Sequence, residues 1–391
     1  MIPFDDLDLS WLRSKPGVKW RWAVPDVLAA WVADMDFPVP PPVRTALEEV
    51  LARGDLGYPE WLADSPLAEP FAGRMLERFG WRPEPGRVRE VTDIIQGVQV
   101  VLHLATVEGD GVALHVPSYP PFLDTVRRMG RRLVASPIER EPGGWTFDAD
   151  RLADDVRREH CRVLLLVNPH NPTGRVLTRA ELEVLARITV EHDLLVIADE
   201  VHADLVYAPH RHIPFASLSP EAARRTVTLT SATKAFNLAG IRCALAHVGS
   251  DQVLAAWRRC PPHLFGVVGV LGVEATLAAW RHGSAWLDDV REHLAGNREL
   301  LADLVRAELP GVALDPPEAT YLAWLDFRAL ALGGDPAGFL LDRARVWLSP
   351  GPAFGPGGDG FARLNFATSR PLLRVMLGRI GAAVRSPQGP R

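Results

Sequence analysis

The sequence predicts an α/β protein: a large unit on a mostly parallel sheet flanked by helices, plus a smaller α+β unit built from both ends of the chain. Two features predict this. Short apolar runs alternate with helical patterns through the middle of the chain, and each run is followed by residues able to bind or react. The length of 391 residues suits two domains better than one small core.

The runs "VALHV" (112–116), "VLLLV" (163–167), "LLVIA" (194–198) and "TVTLT" (226–230) read as strands. The second and third are apolar throughout, as expected of strands covered on both faces of a parallel sheet. Between them, "TRAELEVLARITVEHD" (178–193) reads as an amphipathic helix, with Thr178 and Glu181 at capping-box spacing. Strand, helix and strand of these lengths make a βαβ unit.

Open parallel sheets bind ligands beyond the carboxyl ends of their strands. There the four runs deliver Tyr119, then Asn168 and Asn171, then Asp199 and His202, and finally Ser231 and Lys234. An aromatic ring, two amides, a carboxylate, an imidazole and an amine on one rim are hard to explain as packing.

Near the C-terminus, "TYLAWLDF" (320–327) and "FARLNFA" (361–367) read as strands of a smaller sheet, with a helix near 336–345. The Pro-rich stretch "PDVLAAWVADMDFPVPPPV" reads as irregular. The expected division is 46–282 for the large domain and 1–45 with 283–391 for the small one, which closes over the rim. The tail, 385–391, is expected to fray.

Composition narrows the function. A net charge of -5 and a pI near 6.2 give no reason to expect nucleic acid or an anionic membrane as partner. Three widely spaced cysteines argue against a disulfide framework or a metal cluster and suit a reducing cytoplasm. The acidic N-terminus lacks the apolar run of a signal peptide, and no stretch reaches the roughly 18 apolar residues of a membrane span. The expectation is a cytoplasmic enzyme.

Of the 43 basic residues only Lys15, Lys19 and Lys234 are lysine. Arginine stays protonated in proteins, whereas a buried lysine can lose its proton and act as nucleophile or base. Lys234, in "TSATKAFNLAGIR", therefore suggests chemistry that arginine cannot perform.

A lysine that can deprotonate, an acid on a neighbouring strand and an aromatic ring suggest an aldehyde cofactor held as a Schiff base. Pyridoxal phosphate also needs a carboxylate for its pyridinium nitrogen and a site for its phosphate. Asp199 can supply the first. Ser231 and Arg242 bracket the lysine and suit the second, since a guanidinium can donate two parallel hydrogen bonds to phosphate. Gly97, in "QGVQ" at the opening of an apolar helical pattern, could let helix N-terminal amides approach an anion, although a turn glycine is its commoner meaning. Other readings stay open. Asn171 in "NPTG" also fits plain turn chemistry; Tyr119 and His202 could be packing residues. Arg363 is either a charge on a sheet surface or a clamp for a carboxylate.

The motifs "NPHNPTGR", "ADEVHADL", "SATKAFNLAGIR" and "RLNFATSR" resemble those of fold-type I pyridoxal-phosphate enzymes of the class I/II aminotransferase family. "VKW" (18–20), "WVADMDF" (31–37) and "GYP" (57–59) narrow the resemblance to its MalY/PatB branch of cystathionine β-lyases, or C–S lyases. It runs from about residue 18 to 370. The resemblance implies that Lys234 forms the Schiff base and Asp199 partners the pyridinium nitrogen. Asn171 bonds the phenolic oxygen, at whose usual tyrosine position His202 stands, and Tyr119 stacks on the ring. Gly97, Val98, Ser231 and Arg242 hold the phosphate, helped by Tyr58 from the partner subunit of a homodimer. Arg363, with Asn171 and Tyr119 beside it, receives the substrate. The phosphate loop has no hydroxyl side chain at Gly97-Val98-Gln99, a small departure that leaves backbone amides and Ser231 for that contact.

The implied activity is β-elimination on an S-substituted L-cysteine such as L-cystathionine. Transamination between an L-amino acid and a 2-oxo acid needs the same residues, and a regulatory protein-binding role on the same scaffold is a further alternative.

Overall fold

A computed structural model describes residues 4–59, 65–330, 332 and 334–385. The expected frayed tail lies outside these residues apart from Arg385. An eight-stranded sheet occupies the middle of the fold. Its order is Val88–Val91, Ala244–Val248, Thr226–Thr230, Leu195–Asp199, Cys161–Val167, Gly111–Val116, Arg132–Glu141 and Gly144–Phe147. The five strands from Thr226–Thr230 to Arg132–Glu141 are mutually parallel. Antiparallel pairings flank them on both sides.

Alternation along the strands explains why these runs are apolar throughout. Val163, Leu165 and Val167 pack beneath helices Ile94–Ala105, Pro120–Arg128 and Asp251–Arg259. Leu164 and Leu166 face the other way, under helices Ala149–Arg158, Arg179–Glu191 and Pro220–Arg224. Both faces are dry, so neither can carry polar side chains at low cost. Helix Arg179–Glu191 starts at the expected capping box, with Thr178 and Glu181 bonding reciprocally. Sequence patterning missed the four outer strands. They are short or amphipathic, and each of them makes an antiparallel pairing that only the assembled sheet specifies.

The second sheet is antiparallel, in the order Ala313–Leu314, Leu322–Asp326, Phe361–Asn365 and Ser349–Pro350. The strands expected near 320–327 and 361–367 lie here, as does helix Pro336–Ala344. The Pro-rich N-terminal stretch is less irregular than its composition implies. Leu28–Ala29 pairs in parallel with Val346–Trp347, which anchors the N-terminal segment to C-terminal structure.

Among the described residues, no helix is long and apolar enough to cross a membrane, and no group of three His, Cys, Asp or Glu side chains could hold a metal. Cys161, Cys243 and Cys260 are free thiols.

Candidate active site

The rim is roofed by a strap, residues 31–37, whose carbonyls all bond to side chains from elsewhere. Trp31 O accepts from Arg363 and Ser349. Val32 O accepts from Asn365, and Ala33 O from Lys234 and Tyr321. Asp34 O accepts from Lys19 and Asn365, and Asp36 O from Lys15. Met35 O and Phe37 O share the Asn237 amide. An extended segment without sheet neighbours must find such partners or leave buried carbonyls unpaired. All three lysines of the chain end on this strap.

Lys234 follows strand Thr226–Thr230, and its Nζ donates to Ala33 O at 2.9 Å. Burial holds its pKa below the usual lysine value; Asp34 and Asp199 oppose the shift and Arg363 adds to it. Asp199 ends strand Leu195–Asp199, in register with Val167 and Leu229 on its two neighbours. Its Oδ1 accepts from Val201 N–H at 3.1 Å, its one hydrogen bond among the described residues. Burial pushes its carboxyl up to about 7; the Val201 N–H and the Lys234 charge oppose the shift, and Glu200 adds to it.

Asn171 and Arg363 meet: Nη1 of Arg363 donates to Asn171 Oδ1 at 2.9 Å. Arg363 is 4% exposed, so it is no sheet-surface charge. Its guanidinium also bonds Trp31 O and Ser349 Oγ and lies over the Phe354 ring, 4.9 Å from the centroid. Burial lowers its pKa to about 10, which leaves it cationic at neutral pH. Tyr119 caps helix Pro120–Arg128 and packs edge-on against Phe122. Burial raises its pKa, and the charges acting on it include Arg363, Asp199, Asp93 and Asp34, which places its hydroxyl among the site residues. His202 is buried, with Nδ1 unpartnered. Burial, then the Lys234 and Arg363 charges, bring it down to about 3, so the ring is neutral. Asn168 takes no part, because its Oδ1 accepts from Leu177 N–H and fixes the turn.

The phosphate corner differs from expectation in detail. Helix Ile94–Ala105 begins before "GVQ", with Asp93 as its N-cap. Gly97 therefore lies inside the helix, and its N–H donates to Asp93 O. A side chain at Gly97 would meet Leu229 Cδ2 at 2.8 Å, so close helix-on-sheet packing favours glycine there. The Val98 side chain belongs to the core. The first-turn amides of Ile94 and Ile95 have no intrahelical acceptor and mark the electropositive helix end. Arg242, in the left-handed region at φ 57, reaches this end and bonds Asp93. Ser231 Oγ donates to Cys243 O at 2.6 Å and accepts from Thr233 N–H at 3.1 Å. Tyr58 is 96% exposed and plays no part in the site of its own chain.

Sequence reasoning missed Tyr321, whose hydroxyl shares Ala33 O with Lys234 at 2.8 Å, and Asn237, which grips Met35 on both sides. Rarity was a usable signal. The chain has four tyrosines, and two of them, Tyr119 and Tyr207, act electrostatically on a third, Tyr321.

Two observations fit pyridoxal phosphate. Asp199 is a buried carboxylate lacking a strong cationic partner, which a protonated pyridine nitrogen supplies. His202 Nδ1 is a buried polar atom with no partner in the protein. With an amine held apart from that carboxylate on the rim of this sheet, the fold and site define a pyridoxal-phosphate enzyme of fold type I.

Comparison narrows the class. Residues 91–380 match the aminotransferase class I and II family. The chain is 34% identical to the cystathionine β-lyase PatB of Bacillus subtilis, covering 94% of this chain and 96% of that one. It is 31% identical to the cystathionine β-lyase of Corynebacterium glutamicum, covering 96% and 99%. Its structure superposes on the PLP-bound C–S lyase of Staphylococcus hominis with a TM-score of 0.90 at 30% identity, covering 97% and 98%. The chain belongs to the class I and II aminotransferase family, on its cystathionine β-lyase branch.

Proposed function

We propose that the protein cleaves the Cβ–S bond of L-cystathionine or a related S-substituted L-cysteine, with water, to a thiol, pyruvate and ammonia. The observation that carries this is the Lys234 amine, tied only to a backbone carbonyl and set between Asp199 and the Arg363–Asn171 pair. Relatives matching nearly the full chain and named as lyases favour elimination over transamination.

Arg363 receives the substrate α-carboxylate and aligns Cα with Lys234. Its guanidinium is held by Asn171, Ser349 and Trp31 O, so little reorganisation is needed when substrate binds. Lys234, its pKa lowered by burial, takes the α-proton. Pyridoxal phosphate, when bound, supplies the electron sink for the carbanion at Cα. Asp199 would hold a proton on its ring nitrogen, His202 and Asn171 would bond its phenolic oxygen, and Tyr119 would cover its ring. Arg242, Ser231 and the N-terminal turns of helix Ile94–Ala105, which carry Gly97 and Val98, would hold its phosphate. The electron pair at Cα expels the thiolate from Cβ, and the released enamine hydrolyses to pyruvate and ammonia.

Residues 46–282 form the cofactor-bearing domain in this reading, and 1–45 with 283–391 the domain that closes over it. The protein works as a cytoplasmic homodimer, Tyr58 reaching the phosphate of the partner subunit. In support, Leu56, Tyr58, Leu264 and Val267 are exposed, and Val267 lines a cleft together with Pro59, Pro261 and Phe265.

Incubation with L-cystathionine, with and without a 2-oxo acid, tests the reaction. Thiol and pyruvate should form without the oxo acid; turnover that strictly requires it would overturn the lyase reading. The Lys234→Ala variant should lose the borohydride-reducible link to the cofactor, and normal turnover by it would refute the role of this lysine.

A further inference from the structure

The strap carries two acids in different states. Asp36 is 1% exposed and paired through one oxygen: Lys19 Nζ lies 2.9 Å from its Oδ1, and Trp20 Nε1 donates to the same oxygen at 2.6 Å, while Oδ2 is buried without a partner among the described residues. Asp34 is fixed only through its backbone. Its carbonyl accepts from Lys19 Nζ at 3.0 Å and Asn365 Nδ2 at 2.7 Å. The residues on either side are pinned as well, Ala33 by Lys234 and Tyr321, and Met35 by Asn237. Its carboxylate, partly open to solvent, has no hydrogen bond or ion pair among the described residues.

With its backbone held, the Asp34 carboxylate acts on Lys234, Tyr321, Tyr119 and Lys15 alike, which sets it beside the site. The residue next to it supplies the carbonyl to which the Lys234 amine is tied. We propose that Asp34 is the counter-ion of Lys234, a positioning residue that stabilises the ammonium formed when Lys234 takes the substrate α-proton. This rests on the reading of Lys234 as the proton-transfer base.

The charges around Lys234 require such a group. Arg363 faces it from the small sheet and disfavours a second cation; Asp199 faces it from the large sheet. Once Asp199 is matched by a protonated ring nitrogen, Asp34 remains as the unmatched anion near the amine. Tyr321 and Tyr119 are held neutral by burial, as is His202. The Asp34 charge also acts on Lys15, whose amine bonds Asp36 O, and Lys19 is already matched by Asp36. An opposite charge within about 4–6 Å favours the ionised form of a lysine by roughly 1–3 pH units.

Because the chain has three lysines, acetylation of each can be followed separately. Cofactor-free protein is treated with acetic anhydride across a pH series, and peptides containing Lys15, Lys19 and Lys234 are quantified by mass spectrometry. In Asp34→Asn the midpoint of Lys234 labelling should fall by about one pH unit. Asp34→Glu should stay close to the wild type. In the holoenzyme, the Asp34→Asn profile of kcat against pH should move the same way. An unmoved Lys234 midpoint in Asp34→Asn, with Lys15 alone shifting, would overturn the proposal. Should the wild-type holoenzyme leave every S-substituted cysteine intact, the lyase reading fails, yet labelling still decides whether Asp34 is the counter-ion. Circular dichroism on both variants separates misfolding from a charge effect.

Discussion

Asp199 shows how much one buried carboxyl can shape the behaviour of the cofactor-free chain. Burial raises its pKa from 3.8 to about 7, so the folded chain keeps a proton that the unfolded chain has released over that range. Where the folded state binds more protons, stability falls as pH rises, here from about 4 to about 7. Asp199→Asn cannot ionise, yet its amide oxygen can still accept from Val201 N–H. Urea unfolding of the two cofactor-free proteins should therefore diverge with pH, the variant gaining a few kcal/mol on the wild type between pH 4 and pH 8. A constant difference would show that Asp199 ionises in the folded chain as easily as in the unfolded one. At this scale the sequence was informative wherever a residue type was chemically irreplaceable. Lys234 and Asp199 stood out because an amine and an acid at strand ends do work that no other type can, whereas Arg363 stayed open between a surface charge and a clamp until its burial was seen. Asp34, Tyr321 and Asn237 did not stand out, because their importance lies in partners about 200 or more positions away.

Elements were legible in proportion to how uniformly they are buried. The inner strands Cys161–Val167 and Leu195–Asp199 lie between two layers of helices, and that leaves an unbroken apolar run in the sequence. Strand Val88–Val91 is half-buried at its centre and edges the sheet, so "VREV" carries little pattern. The strap is harder still, since its order comes from side chains bonding to backbone, which no periodicity records. The turn that carries Phe354 illustrates a different constraint. Gly351 begins turn Gly351–Phe354, and a Cβ there would stand 2.1 Å from Gly358 O and 2.3 Å from Phe361 O. Both obstacles are backbone and cannot rotate away. Gly351→Ala should push Phe354 from beneath the Arg363 guanidinium and lower stability by about 1–3 kcal/mol. The expected kinetic mark is a raised KM for substrate with a smaller change in kcat, measured on holoenzyme that remains folded. An unchanged melting temperature and KM would mean the turn relaxes without disturbing Arg363.

The whole molecule has one face that its own chain leaves unfinished. Leu56, Leu264 and Val267 are between half and two-thirds exposed, Tyr58 is exposed as well, and Val267 lines a cleft with Pro59 and Phe265. Exposed apolar surface, where it is contiguous, marks association sites. If two copies meet there, Val267→Asp buries an unpaired charge in the contact and should halve the mass seen in sedimentation equilibrium. It should also weaken cofactor retention, since Tyr58 of the partner subunit is then lost from the phosphate. A Val267→Asp protein with wild-type mass would place the interface elsewhere. The parallel sheet and the rim residues could be read from the sequence because they lie within one chain. A match between copies would not be legible in this way, because an exposed Leu or Val reads the same whether it meets water or another subunit.

The strap also has a mechanical meaning. Within seven residues it is bonded to Lys234 and Asn237, next to the large sheet, and to Asn365, Arg363 and Ser349 of the small one. A suture of this density resists being opened one stitch at a time. A motion that parted the two sheets at the rim would have to release several of these bonds at once, so the strap couples any such opening to their joint loss.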